Sequence, residues 1–75
     1  MRYFKAEIVY EMASNNNSSV QLNQVLYCCS ANGAPESEDL IELFYSLNAK
    51  SKKYLHATWK QVREEEIPTE EIHLL

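Results

Sequence analysis

The amino-acid sequence predicts a small α+β domain in which one helix packs on one face of a three-stranded antiparallel sheet, in the chain order β-β-α-β. Three observations support this fold class: strict alternation of apolar and polar residues near the N-terminus, a second apolar run after a polar loop, and a helical stripe of apolar residues further on. The chain has 75 residues, so we expect residues 1–75 to form a single domain. Its 45% hydrophobic content is typical of a folded protein rather than a disordered one.

Residues 2–12 form the first predicted strand. Apolar residues occupy every second position, so that one face of the strand is hydrophobic and the other is mostly polar. The hydrophobic face consists of Phe4, Ala6, Ile8, Tyr10 and Met12. The Asn- and Ser-rich residues 13–19 follow, and because these residue types favour turns they predict a hairpin loop.

Residues 20–30 form the second predicted strand, which starts with alternation and is apolar throughout from Val25 to Cys29. The loss of alternation indicates burial on both faces or a β-bulge near Gln24. We expect the first strand to lie between the other two, in the order 2-1-3, because it has the cleanest alternation and two neighbours would satisfy its backbone.

A helix is predicted over residues 36–50. Asn32 and Gly33 form a turn dipeptide before it, and Pro35 suits a first helical turn. The apolar stripe consists of Leu40, Ile41, Phe44 and Leu47. Acidic residues at the start and lysines at the end match the helix dipole.

Residues 54–62 form the third predicted strand, which is rich in β-branched and aromatic residues. The face expected to meet the core carries Leu55, Ala57 and Trp59, and the opposite face carries Tyr54, His56, Thr58 and Lys60. A helix through residues 59–66 is the competing interpretation, and Pro68 would end either element. Thr69 is then predicted to cap a short C-terminal helical turn.

The two cysteines indicate a reducing compartment. Cys28 and Cys29 are adjacent, whereas small secreted domains carry several cysteines spread along the chain. The N-terminal segment lacks the apolar core of a signal peptide, and no apolar run reaches the roughly 18 residues of a membrane span. The sequence therefore predicts reduced thiols in a cytoplasmic protein with no membrane association.

Catalytic and metal-binding patterns are weak in this sequence. The four residues that would make a zinc site are Cys28, Cys29, His56 and His73, but zinc ligands come in pairs spaced by two to four residues. A Cys–His nucleophilic pair would need a cleft, which a domain of this size has little volume to form. With a single glycine the chain has no phosphate-binding loop. We therefore predict a protein that is not an enzyme and binds no cofactor.

The main functional hypothesis comes from the C-terminal carboxylates. Five acidic residues follow Arg63 with no further lysine or arginine among them: Glu64, Glu65, Glu66, Glu70 and Glu71. Acidic surfaces attract basic partners and accelerate their association. The sequence predicts an inhibitor or adaptor whose acidic patch binds a basic surface of a larger nucleic-acid-handling protein, in the place of phosphates. A solvated surface without a partner is the competing interpretation.

Self-association is the first alternative. A three-stranded sheet with one helix leaves a face and two edges open, and small domains often gain stability as oligomers. The open face is predicted to carry Tyr3, Val9, Tyr27 and Tyr54. A homodimer through this face or through an edge strand is therefore expected if the acidic patch is not the site.

Direct binding of single-stranded nucleic acid is the second alternative. Residues 50–63 hold five of the seven basic residues, interleaved with Tyr54, His56 and Trp59. The net charge of −4 and the isoelectric point of about 5.0 argue against this function, because nucleic-acid binders are typically basic.

Overall fold

The fold is α+β, as the sequence predicts, and it contains a four-stranded sheet. The structure is a computed structural model that describes residues 1–13, 18–48, 50–68 and 71–75. The elements are β1 (Arg2–Ala13), β2 (Ser19–Ser30), α1 (Ser37–Leu47), β3 (Lys52–Val62), a 3₁₀ turn (Glu64–Glu66) and β4 (Ile72–Leu74). Most of the predicted hairpin loop lies outside the described residues.

The predicted three-stranded antiparallel sheet is wrong in its detail. The strand order is β3-β1-β2-β4, and β4 runs parallel to β2, so the sheet is mixed. The expected central position of β1, between β2 and β3, is confirmed. The fourth strand exists because residues 63–71 carry the chain from the β3 edge to the β2 edge, where Ile72 pairs with Tyr27 and Leu74 with Cys29.

The hydrophobic core lies between α1 and one face of the sheet, here called the helix face. Its sheet residues are Phe4, Ala6, Ile8, Tyr10, Leu26 and Cys28, all buried as the alternation in β1 predicts. Leu40 and Phe44 extend into it from α1, and both are almost fully buried. The other side of the sheet is called the open face.

Helix α1 is shorter than the predicted 36–50 because polar groups end it at both sides. The Glu36 backbone N–H donates to the Asp39 carboxylate at 3.0 Å and fixes the first turn. At the other end the Asn48 side-chain amide donates to the Phe44 carbonyl at 2.8 Å, replacing a helical backbone donor. The same amide bonds the Gln24 side chain at 3.0 Å and so ties the helix end to β2.

A β-bulge in β3 changes which residues face the core. Val9 pairs with His56 and Tyr10 pairs with Tyr54, which leaves Leu55 as the extra residue. The bulge turns Tyr54 onto the helix face, where its ring lies 6.0 Å from that of Phe44. The predicted placement of Tyr54 on the open face is therefore wrong, because simple alternation does not survive a bulge.

Trp59 is only partly a core residue. It pairs with Ala6 on the helix face, and its ring meets that of Phe4 edge-on at 5.4 Å. It remains 43% exposed because β3 is the edge strand of the sheet. The prediction that Trp59 lies on the face that meets the core is confirmed, but the side chain is not buried there.

The predicted C-terminal helical turn is also wrong. Ile72–Leu74 form a strand instead, and Thr69, the predicted cap, lies outside the described residues. A helix of about six residues is unstable alone, whereas the edge of β2 offers backbone partners. The Leu75 N–H donates to the Cys29 carbonyl at 2.9 Å and extends this pairing.

Candidate functional site

The predicted acidic patch lies on the segment that joins β3 to β4, here called the crossing segment (residues 63–71). It leads from one edge of the sheet to the other. Ile67, near its middle, is 5% exposed, and the Glu71 N–H donates to the Pro68 carbonyl at 3.1 Å. The described part of the segment is therefore anchored to the domain at Ile67, and it leads into the paired strand β4.

The carboxylate of Glu66 helps to build the turn that displays the patch. Backbone bonds from Glu66 to Arg63 (3.0 Å) and from Ile67 to Glu64 (3.2 Å) close the 3₁₀ turn. The Glu66 carboxylate also accepts the Arg63 N–H at 3.1 Å, as an acidic residue does at the start of a helix. This acidic side chain has a structural reason to be there.

Glu64 connects the crossing segment to the open face of the sheet. The pKa of Tyr3 is raised, first by desolvation through burial and then by the negative charge of Glu64. The Cys29 thiol and a hydrogen bond between the Tyr3 hydroxyl and Glu64 act in the same direction. Because Tyr3 projects from the open face, Glu64 lies on that side of the sheet.

The remaining predicted acidic residues are not in one place. Glu65 is exposed at the centre of the turn, between two residues whose carboxylates have contacts of their own. Glu71 is also exposed, but it lines a groove of about 430 Å³ beside Gln24 and His73 at the β2 edge. Glu70 lies outside the described residues. The structure thus brings Glu64–Glu66 together on one turn and places Glu71 at the start of β4.

The predicted oligomer face is reduced to three of its four residues. Tyr3, Val9 and Tyr27 are partly buried on the open face, in register with neighbouring strands. Tyr54 packs on the opposite side because of the bulge. Lys5 and Lys60, which are paired across β1 and β3, place two positive charges between the tyrosines and the β3 edge.

The basic and aromatic residues of segment 50–63 are divided between the two faces of the sheet. His56 and Lys60 pair with open-face residues of β1, whereas Trp59 lies on the helix face with Ala6 as its partner. Tyr54 is turned toward Phe44. Base stacking needs aromatics beside phosphate-binding lysines. Trp59 and Lys60 do line one groove together with Lys5, but the Glu7 carboxylate lines it as well and would repel a phosphate.

The two cysteines lie on opposite sides of the sheet, since Cys28 pairs with Phe4 and Cys29 with Tyr3, and both are buried free thiols. Cys28 belongs to the core below Leu40. Burial, followed by the effects of Cys29 and Asp39, raises its pKa to about 11. His73 is the β4 partner of Cys28, whereas His56 is two strands away on the open face. Within the described ranges, no three metal-binding side chains come together.

A groove between α1 and β4 brings together the start of the helix and the C-terminal residues, which no sequence pattern connects. Asp39, Glu42 and Leu43 line it from the helix, and Leu74 and Leu75 line it from the C-terminal strand, around a volume of about 300 Å³. From the sequence, the acidic residues at the start of α1 are explained by the helix dipole alone. The signal that could have revealed the groove is the aliphatic chain end, which needs a surface to cover.

In comparisons with known proteins, no family model matches the chain, and neither a curated protein nor a solved structure is similar to it. The single helix described, α1, is too short to cross a membrane.

Proposed function

We propose that the chain is a non-catalytic protein-binding domain, an inhibitor or adaptor whose acidic crossing segment contacts a basic surface of a larger nucleic-acid-handling protein. The residues assigned to this contact are Glu64, Glu65, Glu66, Glu70 and Glu71. The observation that carries the proposal is the attachment of the segment: the buried Ile67 and strand β4 hold the backbone of the 3₁₀ turn against the domain.

A fixed acidic turn favours binding for a simple energetic reason. Ordering a flexible segment on association costs about 1–2 kcal/mol for each residue whose backbone becomes fixed. The turn of Glu64–Glu66 is already ordered by backbone bonds, so less of this cost remains at binding. Its exposed charges would also steer a basic partner toward the correct surface.

Two further features support the proposed class. The raised pKa of the Cys28 thiol leaves it protonated near neutral pH, and the thiolate is the nucleophilic form, so this cysteine is poorly suited to covalent catalysis. Free thiols at Cys28 and Cys29 are also the form expected in the cytoplasm, where we place the protein.

The test is a charge reversal at Glu65, because the carboxylates of Glu64 and Glu66 have contacts of their own. Glu65→Lys and the control Glu38→Lys change the net charge equally, and both residues are exposed. Each tagged variant is used to capture proteins from the native host at physiological salt, with quantitative mass spectrometry. We expect the partner recovered by the wild type to fall at least about threefold with Glu65→Lys and to remain with Glu38→Lys.

Equal losses in the two variants would show that net charge, and not the turn, governs binding. Unchanged recovery with Glu65→Lys would remove the acidic turn as the contact. Circular dichroism of both variants checks that each is folded, because Glu38 lies in the first turn of α1 and Glu65 in the 3₁₀ turn.

A further inference from the structure

Strand β2 has an outer edge that the domain itself leaves largely unpaired. Among the described residues, β4 is the strand that pairs with this edge, and it covers only residues 27–29. Residues 19–26 pair with β1 on one side, and on their other side no strand of the described residues pairs with them. Such an edge presents backbone donors and acceptors that can pair with another chain.

The surroundings of this edge are apolar. Helix α1, with 11 residues, is about 16 Å long, whereas each 12-residue strand of the β1–β2 hairpin extends about 40 Å, so the helix is less than half as long as the hairpin. Five of the nine large hydrophobic residues exposed in the described structure lie on β2, opposite it on β1, or beside its edge at the end of α1. They are Met12, Val20, Leu22, Val25 and Leu47, each 37–46% exposed.

The charge pattern distinguishes this edge from the other one. Strand β3, at the opposite edge, carries Lys52, Lys53 and Lys60 and contains a bulge, both of which protect an edge from pairing with a copy of itself. Strand β2 has no charged residue in its 12 positions, and its pairing with β1 is regular throughout. A second copy of β2 would therefore meet neither like charges nor a distorted backbone.

We propose that two copies of the chain associate by antiparallel pairing of their β2 edges over residues 19–25, to form one continuous sheet. A two-fold axis normal to the sheet keeps both helices on the same side and places side chains of the same face opposite each other. With the axis at Leu22, the two copies of Leu22 meet, and Val20 lies opposite Gln24 of the second copy. This interface is separate from the acidic turn.

The test uses purified protein and static light scattering after size exclusion, from about 1 µM to about 1 mM. The wild type is expected to shift from monomer to dimer as the concentration rises. Leu22→Lys, which places two like charges at the centre of the interface, is expected to stay monomeric. Thr58→Lys, an exposed position of β3, is the matched control and is expected to dimerise like the wild type.

Leu22 is 37% exposed, so a lysine there can extend its charge into solvent and the variant is expected to fold, as circular dichroism would show. Hydrogen exchange of the wild type gives a second readout that needs no variant: protection of the amides in residues 19–25 should increase with concentration. A wild type that stays monomeric throughout, or a dimer that survives Leu22→Lys and is abolished by Val9→Lys on the open face, would overturn the proposal.

Discussion

Adjacent residues of one strand can have different chemistry, and Cys28 and Cys29 illustrate this. They point to opposite faces of the sheet, and Cys28 is fully buried against Phe4 and Leu40. Its pKa rises from 9.0 to about 11, mainly because burial disfavours the thiolate. The same position that makes Cys28 a good core residue makes it a poor nucleophile.

The raised pKa of Cys28 predicts a loss of stability in alkali. Because the folded state keeps the proton longer than the unfolded state, the stabilisation is complete below pH 9 and is lost as the pH rises through about 11. We expect the urea midpoint of the wild type to fall more between pH 8 and pH 11 than that of Cys28→Ala, which has no thiol to ionise there. Equal falls in the two proteins would show that other groups dominate the alkaline transition.

At the scale of secondary structure elements, α1 is held mainly by one aromatic residue. The ring of Phe44 is completely buried and lies 5.4 Å from that of Tyr10 and 6.0 Å from that of Tyr54. Phe44→Ala is expected to cost about 3–5 kcal/mol, comparable with the whole stability of a domain this small. We expect it to be largely unfolded at 25 °C by circular dichroism.

Leu47→Ala provides the control for Phe44→Ala in the same helix. Leu47 is 45% exposed, so its truncation is expected to change the free energy of unfolding by less than about 0.5 kcal/mol. Similar denaturation curves for the two variants would mean that α1 does not depend on the Phe44 contact. The experiment should be done at low concentration, where the proposed dimer is dissociated.

Local patterns predict the elements of this fold better than they predict its irregularities. The alternation of Phe4, Ala6 and Ile8 and the spacing of Leu40 and Phe44 identify β1 and α1, because each pattern follows the geometry of one element. The bulge at Leu55 depends on pairing with β1, and the three-residue β4 depends on the free edge of β2. Such tertiary effects leave little trace in a short stretch of sequence.

The same reasoning applies to the candidate site. The cluster of Glu64, Glu65 and Glu66 is visible in the sequence, because it needs only composition. What the sequence does not show is that Glu66 closes a turn, that Glu64 reaches Tyr3, and that Ile67 is buried below them. These contacts form only when the chain crosses the sheet.

At the scale of the whole molecule, the crossing segment leads to C-terminal residues that pack on the domain and on which its stability should depend. The principal extents are 44 × 22 × 17 Å, and each strand of the β1–β2 hairpin, about 40 Å long, is longer than α1. Because β3 and β4 are at opposite edges, the chain after β3 adds a fourth strand and supplies Leu75 to the core beside Phe4 and Cys28. The C-terminal residues should therefore contribute to the stability of the whole domain.

Two neighbouring leucines allow this dependence to be measured. Leu75 packs against the core, whereas Leu74 is 73% exposed, so Leu75→Ala and Leu74→Ala remove the same atoms from different environments. We expect Leu75→Ala to lower the free energy of unfolding by about 1–3 kcal/mol, because the residue is only partly buried. Leu74→Ala should change it by less than about 0.5 kcal/mol. Urea denaturation followed by circular dichroism gives both values. Equally small effects would mean that β4 adds to the sheet without supporting the core.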